Sequence, residues 1–163
     1  MSRFVTQVPL RWTDQDAYRH VNHARIVTLL EEARVELAFT AAGSEGLAGF
    51  STGLLVAGLE VSYVRQIPYR PEPLRVTMDV RTVRAASFTI GYAMHDGPDS
   101  SDPVAVRAVT RMALYDLQAG RPRRLSADER AFLERWSDDP ADDPADDPAD
   151  DPADDAAVVG STR

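Results

Sequence analysis

The chain of 163 residues contains no cysteine and no lysine. The first absence excludes disulfides, thiolate metal sites and a cysteine nucleophile, and it suits a reducing compartment. The second leaves all 18 basic residues as arginine. Arginine's fixed fork suits phosphate, although a codon bias toward arginine accounts for the same composition. Also missing is any apolar run near the roughly 20 residues that span a bilayer. The opening MSRFVTQVPLRW lacks the charged-then-apolar order of a signal peptide, so the expectation is a cytoplasmic protein with no membrane partner. What remains is ordinary globular material, 44% hydrophobic and 27% charged, long enough for a real core.

The formal net charge of −8 is unevenly placed, because ten of the 26 acidic residues lie between Asp138 and Asp155. Residues 1–137 hold 17 arginines against 16 acidic residues, a net charge of +1. From Asp138 the chain repeats Asp-Asp-Pro-Ala without a basic residue. Proline at every fourth position forbids continuous helix, and the charge density opposes collapse, so disorder is predicted. The expected division is a folded domain over 1–137 and a disordered tail over 138–163. A solvated tail is the plain reading; a docking tail for a basic partner and a loose cation sponge are alternatives. No nucleic-acid partner is expected.

Residues 4–12 mix apolar and polar positions around Pro9, which predicts an edge strand. Asn22 is placed to cap a helix running to about Ala42, because Ile26, Leu30, Ala33, Leu37 and Ala41 recur at three or four residues. Gly43, Gly46 and Gly49 then open a loop. Strands rich in Val, Tyr, Thr and Phe follow at Leu54–Gln66, Leu74–Arg84, Ser87–His95 and Val104–Leu117, with a hairpin at Ala85-Ala86. Ser126-Ala-Asp-Glu129 fits a capping box, predicting a second helix to about Trp136. These elements make an α+β domain, an antiparallel five-stranded sheet covering one long helix, and its open edges favour pairing with a second copy.

The densest polar cluster, Trp12-Thr13-Asp14-Gln15-Asp16-Ala17-Tyr18-Arg19-His20-Val21-Asn22-His23, sits immediately before the long helix. The first amides of a helix have no internal partners and point outward with partial positive charge, so they hold an anion or polarise a carbonyl. A carboxylate beside such a carbonyl is minimum equipment for acyl transfer, with Asp16 as nucleophile or as general base toward water. A thioester, already activated, suits this machinery.

The run Asp14-x-Asp16-Ala-x-x-His20-Val-Asn22-His23, followed by Leu29-Leu30-Glu31-Glu32-Ala33-Arg34, resembles the motif of hotdog-fold acyl-CoA thioesterases of the 4-hydroxybenzoyl-CoA thioesterase type. Val61-Ser62-Tyr63-Val64-Arg65, Arg84-Ala85-Ala86-Ser87-Phe88 and Arg107-Ala108 resemble that family's strands, so the likeness spans residues 3 to 136. It implies the hotdog fold, hydrolysis of a fatty or aromatic acyl-CoA, no cofactor, no metal, and a homodimer or homotetramer. By the same resemblance Asp16 is the catalytic aspartate, the backbone amide of His23 polarises the thioester, and His20 and Asn22 support them. The position before His20 is often Gly in that family; Arg19 there narrows the pocket or adds charge at its mouth. Arg65, Arg84 and Ser87 are expected substrate contacts, with the Arg121–Arg124 cluster a further source of cations for phosphate.

Other readings of these residues stand beside this one. Asp14 and Asp16 can satisfy loop amides in an Asx-turn, Asn22 can be a plain cap, and His20, His23 and Asp16 can form a two-histidine-one-carboxylate metal site. A hotdog dehydratase or hydratase is a rival enzyme, though its Asn-Pro and His-Phe-Pro runs are absent. A non-catalytic module that binds acyl-CoA is the rival outside enzymes.

Overall fold

Side-chain alternation on a pleated strand sends every second residue to one face, and the four Val- and Thr-rich segments pair accordingly. The structure is a computed structural model in which residues 2–137 are described. The acidic repeat, for which disorder is expected, lies outside the described residues. In chain order the elements are β1 (Phe4–Val8), a 3-10 turn (Trp12–Asp14), α1 (His23–Val35), a π-helical stretch (Glu36–Ala41), α2 (Ala42–Ser44), α3 (Gly49–Thr52), β2 (Leu54–Tyr63), β3 (Leu74–Val83), β4 (Ser87–His95), β5 (Val104–Asp116), β6 (Arg121–Pro122) and α4 (Ala127–Glu134). The sheet runs β1-β3-β4-β5-β2, antiparallel throughout, with the two-residue β6 added to β5.

β1 is an edge strand as its proline predicts, and it stops at Val8 rather than continuing to residue 12 because Pro9 has no amide for the ladder. β2 forms the other edge. It ends at Tyr63, short of Gln66, because the amides of Val64 and Arg65 both turn to the single carbonyl of Ala105. The hairpin at Ala85-Ala86 forms, closed by the Arg84 amide on the Ser87 carbonyl at 2.8 Å.

The helix crosses the inner face of the sheet and buries Ile26, Leu30, Ala33 and Leu37 as its periodicity requires. Past Val35 the backbone widens into the π-helical stretch. A wider turn delays the apolar stripe by one residue, so Ala42 is fully buried where the even spacing points to Ala41. The glycine-rich segment expected as loop contains α3, whose Phe50 packs edge-on against Phe88 at 5.9 Å. No helix of the described residues is long and apolar enough to cross a membrane.

The sheet leaves β2 conspicuously bare. Val56, Leu59 and Tyr63 are 49%, 42% and 50% exposed, on the side of the strand that faces the helix layer. At the far edge, α4 closes the core behind the capping box expected for it. The Ser126 hydroxyl accepts the Glu129 amide at 3.1 Å, and the Glu129 carboxylate accepts the Ser126 amide at 2.8 Å. Arg123 donates to both oxygens of Glu129 at 2.8 Å. Burial by itself pushes the Glu129 carboxyl up, yet the hydrogen bonds from Arg123 and Ser126 and the Arg123 charge together hold it below the ordinary glutamate value.

A carboxyl with a depressed folded-state pKa stabilises the fold above its unfolded value, about 4.3, and that contribution disappears as pH falls through the lower folded value. Glu129→Gln is therefore expected to destabilise the protein by about 1.5–3 kcal/mol at neutral pH. Urea denaturation from pH 7 to pH 3 should show the gap to wild type closing below pH 4. A gap independent of pH would contradict the ionised role.

Candidate active site

The path from β1 to α1 is set by two aspartates with different tasks. Asp14 is 1% exposed and ion-paired to Arg11 at 3.1 Å. Its carboxylate also accepts the Arg11 amide at 2.7 Å, while its carbonyl accepts the Asn22 amide at 2.9 Å. A buried charge so paired is structural, and it ties the end of β1 to the start of α1.

Asp16 opens a tight loop in which its amide donates to the His20 carbonyl at 2.9 Å and its carbonyl accepts the Arg19 amide at 3.1 Å. One carboxylate oxygen, Oδ1, accepts the amides of Tyr18 at 2.8 Å and His20 at 3.4 Å. This is the Asx-turn alternative, and it is satisfied by one oxygen alone. Oδ2 has no hydrogen bond among the described residues. Arg19 takes φ 65, the left-handed region where glycine is favoured, which is the physical reason a glycine suits that position. A bridge between His20 and Pro68, and the Val21 amide on the Ile67 carbonyl at 2.8 Å, pin the loop against the segment leaving β2.

Asn22 then caps α1, its side chain accepting the Ala24 amide at 2.9 Å. The amide of His23, in the first turn, has no acceptor among the described residues. The Tyr63 hydroxyl donates to the His23 carbonyl at 3.2 Å, and the two rings meet edge to face at 6.5 Å. The end of the exposed edge strand is thus fastened to the head of the helix.

Between them lies a cavity of about 390 Å³, lined by Asp16, Tyr18, His20, Val21, His23, Ile26, Tyr63, Val64, Arg65, Gln66, Ile67 and Val106. Its size suits a small ligand or one end of a larger one. The structure brings together Asp16, His20, His23 and Arg65 of the expected residues. Asn22 does not line the cavity; its amide oxygen is engaged in the cap. Arg84 and Ser87 stand at the opposite end of the sheet. Ser87 pairs with Ala113 of β5, whereas the cavity touches Val106. Those seven residues of extended chain span about 24 Å, so a single chain does not bring Arg84 or Ser87 to Asp16. Among the described residues no three His, Cys, Asp or Glu side chains are grouped to hold a metal ion.

Tyr18, Tyr63, Val64 and Gln66 escape sequence reasoning. Tyr63 is 40 residues from His23, and only the pairing of β2 at the sheet edge brings it there. The signal in the sequence was the Val- and Tyr-rich composition that predicts a strand over Leu54–Gln66.

The arrangement brings a carboxylate residue, Asp16, and the first residue of helix α1, His23, to one cavity with an apolar inner wall of Ile26, Ile67 and Val106. Comparisons with known proteins bear on the family and the fold. Residues 10–136 match the model of the thioesterase-like superfamily. No curated protein matches the sequence. Among solved structures, a predicted thioesterase from Bacillus stearothermophilus is 20% identical, with TM-score 0.70 over 85% of this chain and 99% of that one. The probable thioesterase YbaW from Escherichia coli is 21% identical, with TM-score 0.65 over 82% and 98%. A Thermus thermophilus thioesterase, complexed with coenzyme A and Zn, is 21% identical, with TM-score 0.64 over 81% and 92%. The shared architecture is the hotdog fold, a curled antiparallel sheet around one long helix. With most of its length matched, the chain belongs to the thioesterase-like superfamily.

Proposed function

We propose that the protein hydrolyses a fatty or aromatic acyl-CoA to the free acid and CoA. The observation that carries this reading is the divided carboxylate of Asp16: Oδ1 is held by two loop amides, Oδ2 has no hydrogen bond among the described residues, and Asp16 lines one cavity with His23. Held on one side, the carboxylate keeps its orientation without a further side chain.

The thioester carbonyl oxygen accepts the His23 amide, which stabilises the negative charge that develops there on attack. Asp16 acts in one of two ways. As general base it takes a proton from water; the hydroxide adds to the carbonyl carbon, the C–S bond breaks, and the departing thiolate takes that proton back from Asp16 while the acid product loses its own to solvent. As nucleophile it displaces the thiolate itself, and water then opens the mixed anhydride. Neither route draws on a cofactor. His20, whose backbone helps hold Asp16, supports its position, and Asn22 supports the amide of His23 by fixing the helix start. A cytoplasmic setting fits a chain without cysteine.

The functional unit in this reading is a homodimer joined at β2, with a homotetramer as the further assembly. An unpaired edge strand carrying Val56, Leu59 and Tyr63 in the open favours a second copy of itself. Antiparallel pairing about a two-fold axis exchanges the ends of the sheet. The partner's Arg84 and Ser87 would then approach the end of the sheet where this cavity opens, and that is how those two residues become substrate contacts.

Asp16→Asn is expected to lower kcat/KM at least ~100-fold across a panel of fatty and aromatic acyl-CoAs; near-wild-type hydrolysis would sink the assignment. Leu59→Asp should convert the dimer to monomer in sedimentation velocity, and an unchanged sedimentation coefficient would exclude β2 as the interface.

A further inference from the structure

On the four long strands, the residues that do not face the helix layer form an outer face, and its charge is one-sided. It carries Arg75, Arg81, Arg107 and Arg111 against Asp79 and Glu60. We infer that this face is the docking surface for the chain's own acidic repeat, residues 138–155, which shields it from other polyanions. Docking here does not depend on the acyl-CoA reading.

Arg107 and Arg111 are exposed, and neither has a side-chain hydrogen bond or ion pair among the described residues. Their cross-strand neighbours are uncharged: Ser62 and Ala93 flank Arg107, while Gly58 and Thr89 flank Arg111. A carboxylate at any of those positions would stabilise the sheet by a direct pair, and none stands there. Of the two acids on the face, Asp79 accepts Arg81 Nε at 3.0 Å, and Glu60 stands opposite Val109, between the two arginine rows. The guanidinium of Arg111 lies over Gly58 and that of Arg81 over Gly91, where any larger side chain would meet them. Glycine inside a strand often marks close approach by another chain. With Ala93 and Ser62 it leaves a flat floor beside the guanidinium groups.

The repeat matches that floor in charge, spacing and reach. It brings ten aspartates in pairs, one pair every four residues, with no basic residue among them. Proline in each repeat favours extended chain at about 3.1 Å per residue, so successive pairs stand about 12 Å apart. Arg107 and Arg111, four residues apart on β5, stand about 13 Å apart. The tail also starts close by. Ser137 bridges Val80, and the Val80 amide donates to the Trp136 carbonyl at 2.9 Å, so the chain leaves beside β3, two strands from β5. Two strand spacings are about 10 Å, well within reach of the 18 residues from 138 to 155. Each exposed ion pair contributes little, so docking needs several at once and weakens with salt. An uncovered arginine face collects polyanions without specificity. A tethered acidic segment, held at high effective concentration, competes with them.

The test uses the full chain, which has no cysteine, so that Ala149→Cys takes a single nitroxide label. In NMR spectra the amides of Thr89, Gly91, Val109 and Arg111 are expected to lose most of their intensity, and Arg107→Gln/Arg111→Gln in the labelled chain should restore it. Attenuation spread evenly over the domain, or unchanged by the two substitutions, would overturn the docking surface. Attenuation arising only between spin-labelled and unlabelled molecules in a mixture would overturn docking within one chain and give the face to a second copy's tail. A separate measurement leaves the folded domain untouched: Asp142→Asn/Asp143→Asn/Asp146→Asn/Asp147→Asn should elute from heparin at higher salt than wild type. Adding Arg107→Gln/Arg111→Gln should abolish that shift. A shift of equal size on both backgrounds would reduce the tail to net charge and refute the shielding.

Discussion

Helix α1 can begin only where its first amides find acceptors or are left to a ligand, and this constraint arranges most of the candidate site. Asn22 satisfies the Ala24 amide, the Asp14 carbonyl holds the Asn22 amide, and the His23 amide has no acceptor among the described residues. The burial of Asp14 is tolerable because Arg11 and the Arg11 amide neutralise it together. Without that anchor the strand-to-helix connection has no fixed length. The loop from Asp16 to His20 would then have nothing to close against.

The second dependence is the edge strand. β2 brings Tyr63 to the head of the helix, and the segment leaving it supplies Val64, Arg65 and Gln66 to the cavity wall. One edge of it pairs with β5, and its face toward the helix layer carries exposed apolar residues. A cavity built at such an edge is open to completion by whatever pairs with the edge. That is why the proposed dimer and the proposed site are one structural question. The π-helical stretch near Phe39 lies beside the same edge, where it shifts the buried stripe by one residue.

Much of this was legible beforehand. Periodicity located α1, the four long strands and their hairpin, and the Ser126–Glu129 capping box formed with both reciprocal bonds. These are local signals, with their physical cause within three or four residues. The misjudged ends share a different cause. Gln66 fell outside β2 because two amides converged on the Ala105 carbonyl, and the helix stripe slipped at Ala41 because the backbone widened. Neither event is written in residue type. The division of Asp16 between a structural and an open oxygen could be framed from sequence as two alternatives, but not decided, because hydrogen-bond direction is a property of the folded loop.

Sequence by itself determined which chemistry the chain can host: a carboxylate pair, a cap and a helix start within ten residues, with no thiol and no lysine. It did so because a helix N-terminus and the groups that cap it are contiguous in the chain. Only the tertiary structure decided which cations stand near that chemistry. Arg65 came to the cavity and Arg84 did not, because strand pairing places residues by register, and about seven residues along β5 separate the two ends of the sheet.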